Sequence, residues 1–203
     1  SGPTSLESIN VLYAADFSWT WRPGVRLYGE VALDDVTLDN SRPLQMAWQA
    51  GVHLRRHTDL GAWSLRGEYS RVYPFTYSSP DDLDFVNAGF PVGAALGPDA
   101  DRFYARLEWR PSLAWAAGVE GSNTRQGSGV LGQPGPSGPP VPARLISYPF
   151  EQDRRYAVTF DVSPSPSFTL SAAVGSGVVS WQPENAGPGT DGVFGSMRAT
   201  LRW

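Results

Sequence analysis

The sequence predicts an all-β fold, specifically a transmembrane antiparallel up-and-down β-barrel, because three features recur along the chain. Apolar and polar residues alternate with a period of two in one segment after another. The connections between these segments alternate between short and long. Aromatic residues of the apolar side cluster beside the short connections. A sheet with one face toward lipid and one toward a polar interior has this pattern.

The alternation is clearest in residues 25–34 and 102–110. In the second segment, every second residue from Phe103 to Trp109 is apolar, and the residues between them are Tyr, Arg and Glu. A soluble sandwich or a lipocalin-like barrel is the alternative, but its apolar face would turn inward. Most segments have about ten residues of alternation, the length that a tilted strand needs to cross a bilayer. We predict nine strands, at 10–22, 25–36, 44–56, 62–77, 101–111, 113–124, 153–163, 168–181 and 193–203.

The connections predict the orientation, since outer-membrane barrels have short periplasmic turns and long extracellular loops. The short connections are 22–24, 56–61, 110–112 and 163–167, and the long ones are 37–43, 78–100, 125–152 and 182–192. The aromatic residues beside the short turns or at the C-terminus are Trp21, Trp63, Trp109, Trp115, Phe168 and Trp203. Those expected at the opposite edge are Tyr13, Trp48, Phe103 and Tyr156. We therefore expect an outer-membrane location with a periplasmic C-terminus, and the alternative is that these aromatics form the core of a soluble fold.

Composition excludes several function classes. The net charge of -4 argues against a nucleic-acid partner, because phosphate binding needs a basic face. The chain has no cysteine, so it has neither disulfides nor thiolate chemistry. No serine has the context of a nucleophile, and His53 and His57 are expected at different places, one on the lumen face and one in a periplasmic turn. We expect no enzymatic activity, no cofactor and no metal site.

An odd number of strands has a topological consequence. Single-chain bacterial barrels have an even number of strands, and an open sheet would leave unpaired edges in lipid. We therefore interpret residues 1–203 as one transmembrane domain that forms the C-terminal portion of a larger barrel. Its remaining strands would come from the same or another polypeptide. Residues 1–9 would end an extracellular loop, and residues 125–152 would form a long extracellular loop of low complexity.

Three segments, 27–35, 66–77 and 93–101, resemble the capsule-assembly Wzi family of outer-membrane proteins. They read Leu-Tyr-Gly-Glu-Val-Ala-Leu-Asp-Asp, Arg-Gly-Glu-Tyr-Ser-Arg-Val-Tyr-Pro-Phe-Thr-Tyr and Gly-Ala-Ala-Leu-Gly-Pro-Asp-Ala-Asp. Their order and spacing are also similar, and the rest of the chain is matched only by its strand pattern. The resemblance implies a barrel of about eighteen strands, of which this chain would form the C-terminal half. It also implies attachment of capsular polysaccharide to the cell surface, in the manner of a lectin.

Two groups of residues are candidates for function. The predicted lumen face carries paired charges, which either hold the barrel wall together or form a polar channel or sugar-contacting interior. The principal members of this network are Arg26, Glu30, Arg66, Glu68, Arg102, Arg106 and Glu108, with Arg155 and Asp161 as a further expected pair. The long loops combine acids, aromatics and an amide, which suit carbohydrate or are merely solvated charge and loop packing. The glycan candidates are Asp34, Asp35, Tyr73, Tyr77 and Asn87.

The leading hypothesis is a non-enzymatic outer-membrane barrel that binds surface or capsular polysaccharide. The alternatives are a passive porin-like channel with a charged lumen and a structural barrel subunit of an envelope complex. The expected partners are outer-membrane lipid, lipopolysaccharide and capsular polysaccharide.

Overall fold

Nine strands form one antiparallel sheet in which sequence neighbours are also neighbours in space. The computed structural model describes residues 12–34, 45–76, 86–87, 90–91, 96–129, 146–165, 167–183 and 188–201. The nine strands are β1 (Leu12–Arg22), β2 (Val25–Asp34), β3 (Met46–Thr58), β4 (Gly61–Val72), β7 (Ala100–Arg110), β8 (Trp115–Gln126), β9 (Phe150–Ser165), β10 (Phe168–Gln182) and β11 (Thr190–Leu201). Their order is β1-β2-β3-β4-β7-β8-β9-β10-β11. The predicted all-β, up-and-down antiparallel arrangement of nine strands is confirmed.

A two-stranded hairpin, β5 (Val86–Asn87) and β6 (Phe90–Pro91), lies in the connection between β4 and β7. Its residues fall within 78–100, a segment that the sequence analysis treated only as a long loop. The hairpin pairs with no strand of the large sheet among the described residues.

The connections keep the predicted alternation of short and long. The short ones span 23–24, 59–60, 111–114 and 166–167, and the long ones span 35–45, 73–99, 127–149 and 183–189. We call the two ends of the strands the short-turn edge and the long-loop edge. At the short-turn edge, Gly61 has a φ of 114°, a left-handed conformation that favours glycine.

Strands β4 and β9 differ most in length from the prediction. β4 ends at Val72 rather than at residue 77, because Pro74 has no N–H to donate to a neighbouring strand and Phe75 has a φ of 68°. β9 begins at Phe150 and continues to Ser165, so most of the predicted 163–167 turn belongs to the strand. The long loop before β9 is correspondingly shorter than the predicted 125–152.

The sheet has two unpaired edge strands within the described part of the chain. β1 pairs with β2, β11 pairs with β10, and no pairing joins β1 to β11. Nearly every residue of both strands is exposed. The described residues thus form one continuous sheet with two free edges.

Candidate functional site

The two faces of the sheet differ in chemistry, and the register keeps them separate from β1 to β11. We call the face that carries Arg66 and Arg106 the charged face, and the opposite face, which carries Leu65 and Leu107, the apolar face. On β10 the residues of the apolar face are exposed, whereas those of the charged face are partly buried. This difference is expected if the charged face lies on the inner side of a curved sheet.

Small residues lie beneath the charged side chains. The buried hydrophobic residues are Ala32, Ala47, Val72, Ala100, Ala116 and Ala157. All of them belong to the charged face by register. Among the described residues, none larger than valine is a buried hydrophobe. A soluble sandwich would bury Leu, Ile and Phe between its sheets, and this sheet has no such layer.

Arg106 is the centre of an ion-pair network on the charged face. Its guanidinium lies 3.0 Å from Glu108, 3.3 Å from Glu120 and 3.7 Å from Asp161. Glu120 also accepts a hydrogen bond of 2.9 Å from the Tyr104 hydroxyl. Three carboxylates on three neighbouring strands therefore share one guanidinium, which holds β7, β8 and β9 together through their side chains.

A second network joins β2, β3 and β4. Arg66 lies 2.6 Å from Glu68 and donates a 3.1 Å hydrogen bond to the Tyr28 hydroxyl. Glu68 also accepts a 2.7 Å hydrogen bond from the Gln49 amide. The Tyr28 ring lies so close to the backbone of Gly51 that a Cβ atom there would overlap the ring. The glycine thus lets Tyr28 lie flat across β3 and reach Arg66.

The apolar face is exposed over most of its width. Its exposed members, each at least a third accessible, include Tyr13, Phe17, Trp19, Leu54, Leu65, Phe103, Leu107, Val119, Tyr156, Val158, Phe160, Val174, Val178, Val193, Met197 and Leu201. They extend across every one of the nine strands except β2, whose apolar residues are partly buried. An exposed apolar surface of this extent marks a contact with lipid or with another protein.

Aromatic rings form a continuous row on the apolar face at the short-turn edge. The Trp63 and Trp109 rings stack with centroids 5.8 Å apart, and Trp115 meets Trp109 edge-on at 5.3 Å. Phe160 continues the row, 6.0 Å from Trp115. The Trp109 indole N–H donates a 2.8 Å hydrogen bond to the carbonyl of Leu60 in a short turn. The row therefore crosses β4, β7, β8 and β9 beside their turns.

Ion pairs accompany aromatic rings on the same face at the long-loop edge, where the Trp48 and Tyr69 rings pack with centroids 5.3 Å apart. Asp101, which is only 2% exposed, accepts hydrogen bonds from the Arg125 guanidinium and a 2.9 Å hydrogen bond from the Tyr69 hydroxyl. Asp99 is fully buried, lies 3.9 Å from the Arg71 guanidinium and has a φ of 59°. Its carboxylate accepts backbone N–H groups from Gly129 and Ser147, at 3.4 and 3.1 Å. Asp99 thus fixes both ends of the loop that connects β8 to β9.

The structure places the five predicted glycan residues unevenly. Asp34 is 2% exposed and Tyr73 is partly exposed. Both lie next to the start of β3. The Asp34 N–H donates to the Gln45 carbonyl and the Tyr73 N–H donates to the Met46 carbonyl, each at 2.9 Å. The Tyr73 ring lies 5.2 Å from the Arg71 guanidinium. The backbone of Asn87 is part of β5, but its side chain lies outside the described residues, as do Asp35 and Tyr77.

Two predicted charge pairs are wrong in their partners. Arg155 pairs at 2.7 Å with Asp153, two residues away on the same face of β9, and Asp161 pairs with Arg106 of β7. Residues six positions apart on one strand are about 20 Å apart, too far for an ion pair. Among the described residues, Arg26 and Glu30 form no ion pair, and Arg26 donates instead to the Ser18 hydroxyl at 2.7 Å. The Arg102 Nε atom is buried with no hydrogen-bond partner, and its guanidinium lies 5.4 Å from the Tyr104 ring.

Several members of these networks are not among the charge-network residues predicted from the sequence. Glu120, Tyr28 and Tyr104 alternate correctly with their strands, so the same period of two would have placed them on the charged face. Asp101 and Arg125 lie at the long-loop ends of β7 and β8, and the register that pairs them reveals their contact. Asp99 had no comparable signal, because its contacts join residues from separate connections.

The part of the chain that the structure describes holds no cluster of three or more His, Asp or Glu residues arranged to bind a metal ion. The same residues include no helix that is long and apolar enough to cross a bilayer. No family model matches the chain, and no curated protein or solved structure is detectably similar to it.

Proposed function

We propose that this sheet is part of the wall of an outer-membrane β-barrel, with its apolar face against lipid and its charged face toward the lumen. The observation that carries the proposal is the exposed apolar face, which is bounded at the short-turn edge by stacked indoles. In lipid, an apolar band with an aromatic border is the arrangement of lowest free energy for a barrel wall. In water, the same face would be an aggregation surface.

The two free edges support the same proposal. The exposed N–H and C=O groups of β1 and β11 would each cost several kcal/mol in hydrocarbon, so further strands must pair with them. We propose that the additional strands belong to the same barrel and complete an even-numbered closed sheet.

Two cysteine variants on one strand test which face meets lipid. The chain has no cysteine, so Val119→Cys on the apolar face and Ser122→Cys on the charged face each provide a single labelling site. A polarity-sensitive fluorophore at Val119→Cys should be quenched by spin-labelled lipid in reconstituted vesicles. The fluorophore at Ser122→Cys should be quenched by aqueous iodide instead. Equal quenching by iodide at both positions would contradict the proposal.

We further propose that the long-loop edge binds surface polysaccharide, as the resemblance to capsule-assembly proteins implies. Tyr73 supplies a partly exposed aromatic ring at this edge, held against the buried Arg71 guanidinium, and such a ring packs on sugar CH groups. Tyr77, Asn87, Asp34 and Asp35 complete the proposed set. Because the Asp34 side chain is buried, its role in this proposal is to support the loop rather than to contact sugar.

A glycan-binding measurement on the membrane-assembled protein tests this role. Replacing both Tyr73 and Tyr77 by Ala should weaken binding to the capsule of the producing cell about tenfold, since an aromatic ring contributes on the order of 1 kcal/mol. Tyr156→Ala removes the same group from the apolar face and should leave binding unchanged. Unchanged binding in the double variant, or no binding by the parent protein at millimolar sugar, would exclude the role.

A passive channel is the second candidate, and the ion-pair network on the charged face favours it. Alternating Arg and carboxylate groups keep a lumen hydrated. Reconstitution into planar bilayers would then give a steady ion conductance that persists without any sugar. Absence of conductance would leave the polysaccharide proposal as the better account.

A further inference from the structure

Basic side chains form one row across four neighbouring strands of the charged face. The register places Arg26 of β2 opposite His53 of β3, His53 opposite Arg66 of β4, and Arg66 opposite Arg106 of β7. His53 accepts a hydrogen bond at Nε2 from Arg55, so its ring is neutral, and Arg66 and Arg106 are the directly opposed like charges of the row. Like charges whose Cβ atoms lie about 5 Å apart on one face destabilise a sheet. The row therefore needs carboxylates, or some other anion, to offset its positive potential.

Among the described residues, carboxylates compensate one end of this row and not the other. Arg106 has three acidic partners and Arg66 has Glu68. At the other end, Arg26 donates to a serine hydroxyl, and Arg55 donates to the His53 ring at 3.3 Å. Within the described residues, neither Arg26 nor Arg55 forms an ion pair, and both are exposed. The guanidinium groups of Arg26 on β2 and Arg55 on β3 therefore lie on the charged face without a carboxylate partner among the described residues.

We propose that Arg26 and Arg55 form an oxyanion-binding site on the lumen face, with Arg66 contributing its positive charge. The proposal rests on the proposed function, because it requires this face to line an aqueous lumen. Guanidinium groups bind carboxylate and sulfate through two parallel N–H donors. The ligand is an oxyanion, either free in solution or carried on an acidic polysaccharide.

Calorimetric titration of the membrane-assembled protein at low ionic strength tests the site with two probes. Inorganic sulfate represents the free oxyanion, hexagalacturonate represents a carboxylate-bearing glycan, and neutral maltohexaose is the control sugar. The Arg26→Gln/Arg55→Gln variant should bind the preferred probe about tenfold more weakly, as expected for the loss of hydrogen bonds to a charged group. Raising the salt concentration should weaken binding by the parent protein, since mobile ions screen an exposed site.

Arg155→Gln is the matched control, because it removes one positive charge from the same face at a residue already paired with Asp153. It should leave affinity unchanged, and both variants should retain the parent's circular dichroism spectrum.

Sulfate binding alone identifies a free anion, and hexagalacturonate binding alone identifies a glycan-borne one. Binding of neither probe at millimolar concentration, equal weakening in both variants, or equal affinity for maltohexaose overturns the site. The cysteine variants at Val119 and Ser122 test the barrel proposal separately, because their quenching does not depend on Arg26 or Arg55.

Discussion

The apolar face ends in two different ways at the two edges of the sheet. At the short-turn edge it ends in indole rings that stack from Trp63 to Trp115. At the long-loop edge it ends in buried carboxylates, chiefly Asp101, which binds Arg125 and Tyr69. Rings tolerate contact with both apolar and polar surroundings and need few partners. Buried ions need close partners: Asp101 finds them on the neighbouring strands, and Asp99 also accepts backbone N–H groups of Gly129 and Ser147.

The comparison indicates that the two edges are stabilised by different forces. The short-turn edge depends on ring contacts and on tight backbone geometry. The long-loop edge depends on electrostatic compensation, and the loop that connects β8 to β9 is part of it through Gly129 and Ser147. Substitutions at the two edges should therefore differ in magnitude and in their dependence on salt.

The largest effect is expected at Asp101. Asp101→Asn leaves the partly buried Arg125 guanidinium without its carboxylate and should lower the free energy of unfolding by about 3 kcal/mol. Urea denaturation of the protein in lipid vesicles measures the loss, because urea is uncharged and lets the salt concentration be varied separately. Asp153→Asn is the matched control: its partner Arg155 is 62% exposed, so the loss should stay below about 1 kcal/mol. Equal losses in the two variants would mean that the long-loop edge is not held by compensated ions.

A smaller effect is expected in the turn at Gly61. In Gly61→Ala, the added Cβ would lie 2.5 Å from the Pro111 Cα atom and 2.6 Å from the Arg110 carbonyl oxygen, at a positive φ. The strain should cost about 2 kcal/mol in the same measurement. Gly67→Ala on the same strand adds a Cβ in ordinary contact, 3.8 Å from Val52, and should change stability little. If Gly61→Ala were as stable as Gly67→Ala, tight turn geometry would not be a requirement of this edge.

The smallest effect of the three is expected at Trp109. Trp109→Leu removes contacts with two indole rings and a hydrogen bond to Leu60, and should cost about 1.5 kcal/mol. Trp21→Leu is the control, because Trp21 is 60% exposed and its ring contact is with the neighbouring Arg22 guanidinium. The Trp109→Leu loss should also be insensitive to salt, unlike that of Asp101→Asn. A salt-dependent loss at Trp109 would remove the distinction between the edges.

Much of the sheet could be predicted because its information is local. A period of two places Leu107 and Arg106 on opposite faces whatever the rest of the chain does, and turn residues such as Gly24 and Gly61 mark where strands reverse. The site was predicted less completely. Arg106 was identified as a member of a charge network, but its partners Glu120 and Asp161 became evident only from the register of three strands.

The sequence by itself determined the nine strands, their two chemically distinct faces and the alternation of short and long connections, because side-chain direction in a strand follows residue order. Only the tertiary structure decided which charges meet across strands, as Arg106 meets Glu120 and Asp161, because the offset between strands is not encoded in either strand alone. It likewise decided that, among the described residues, Arg26 and Arg55 form no ion pair while Arg106 has three carboxylate partners, and that Asp99 and Asp101 are buried. These contacts join residues distant in sequence, and their free energy depends on burial, which local patterns do not specify.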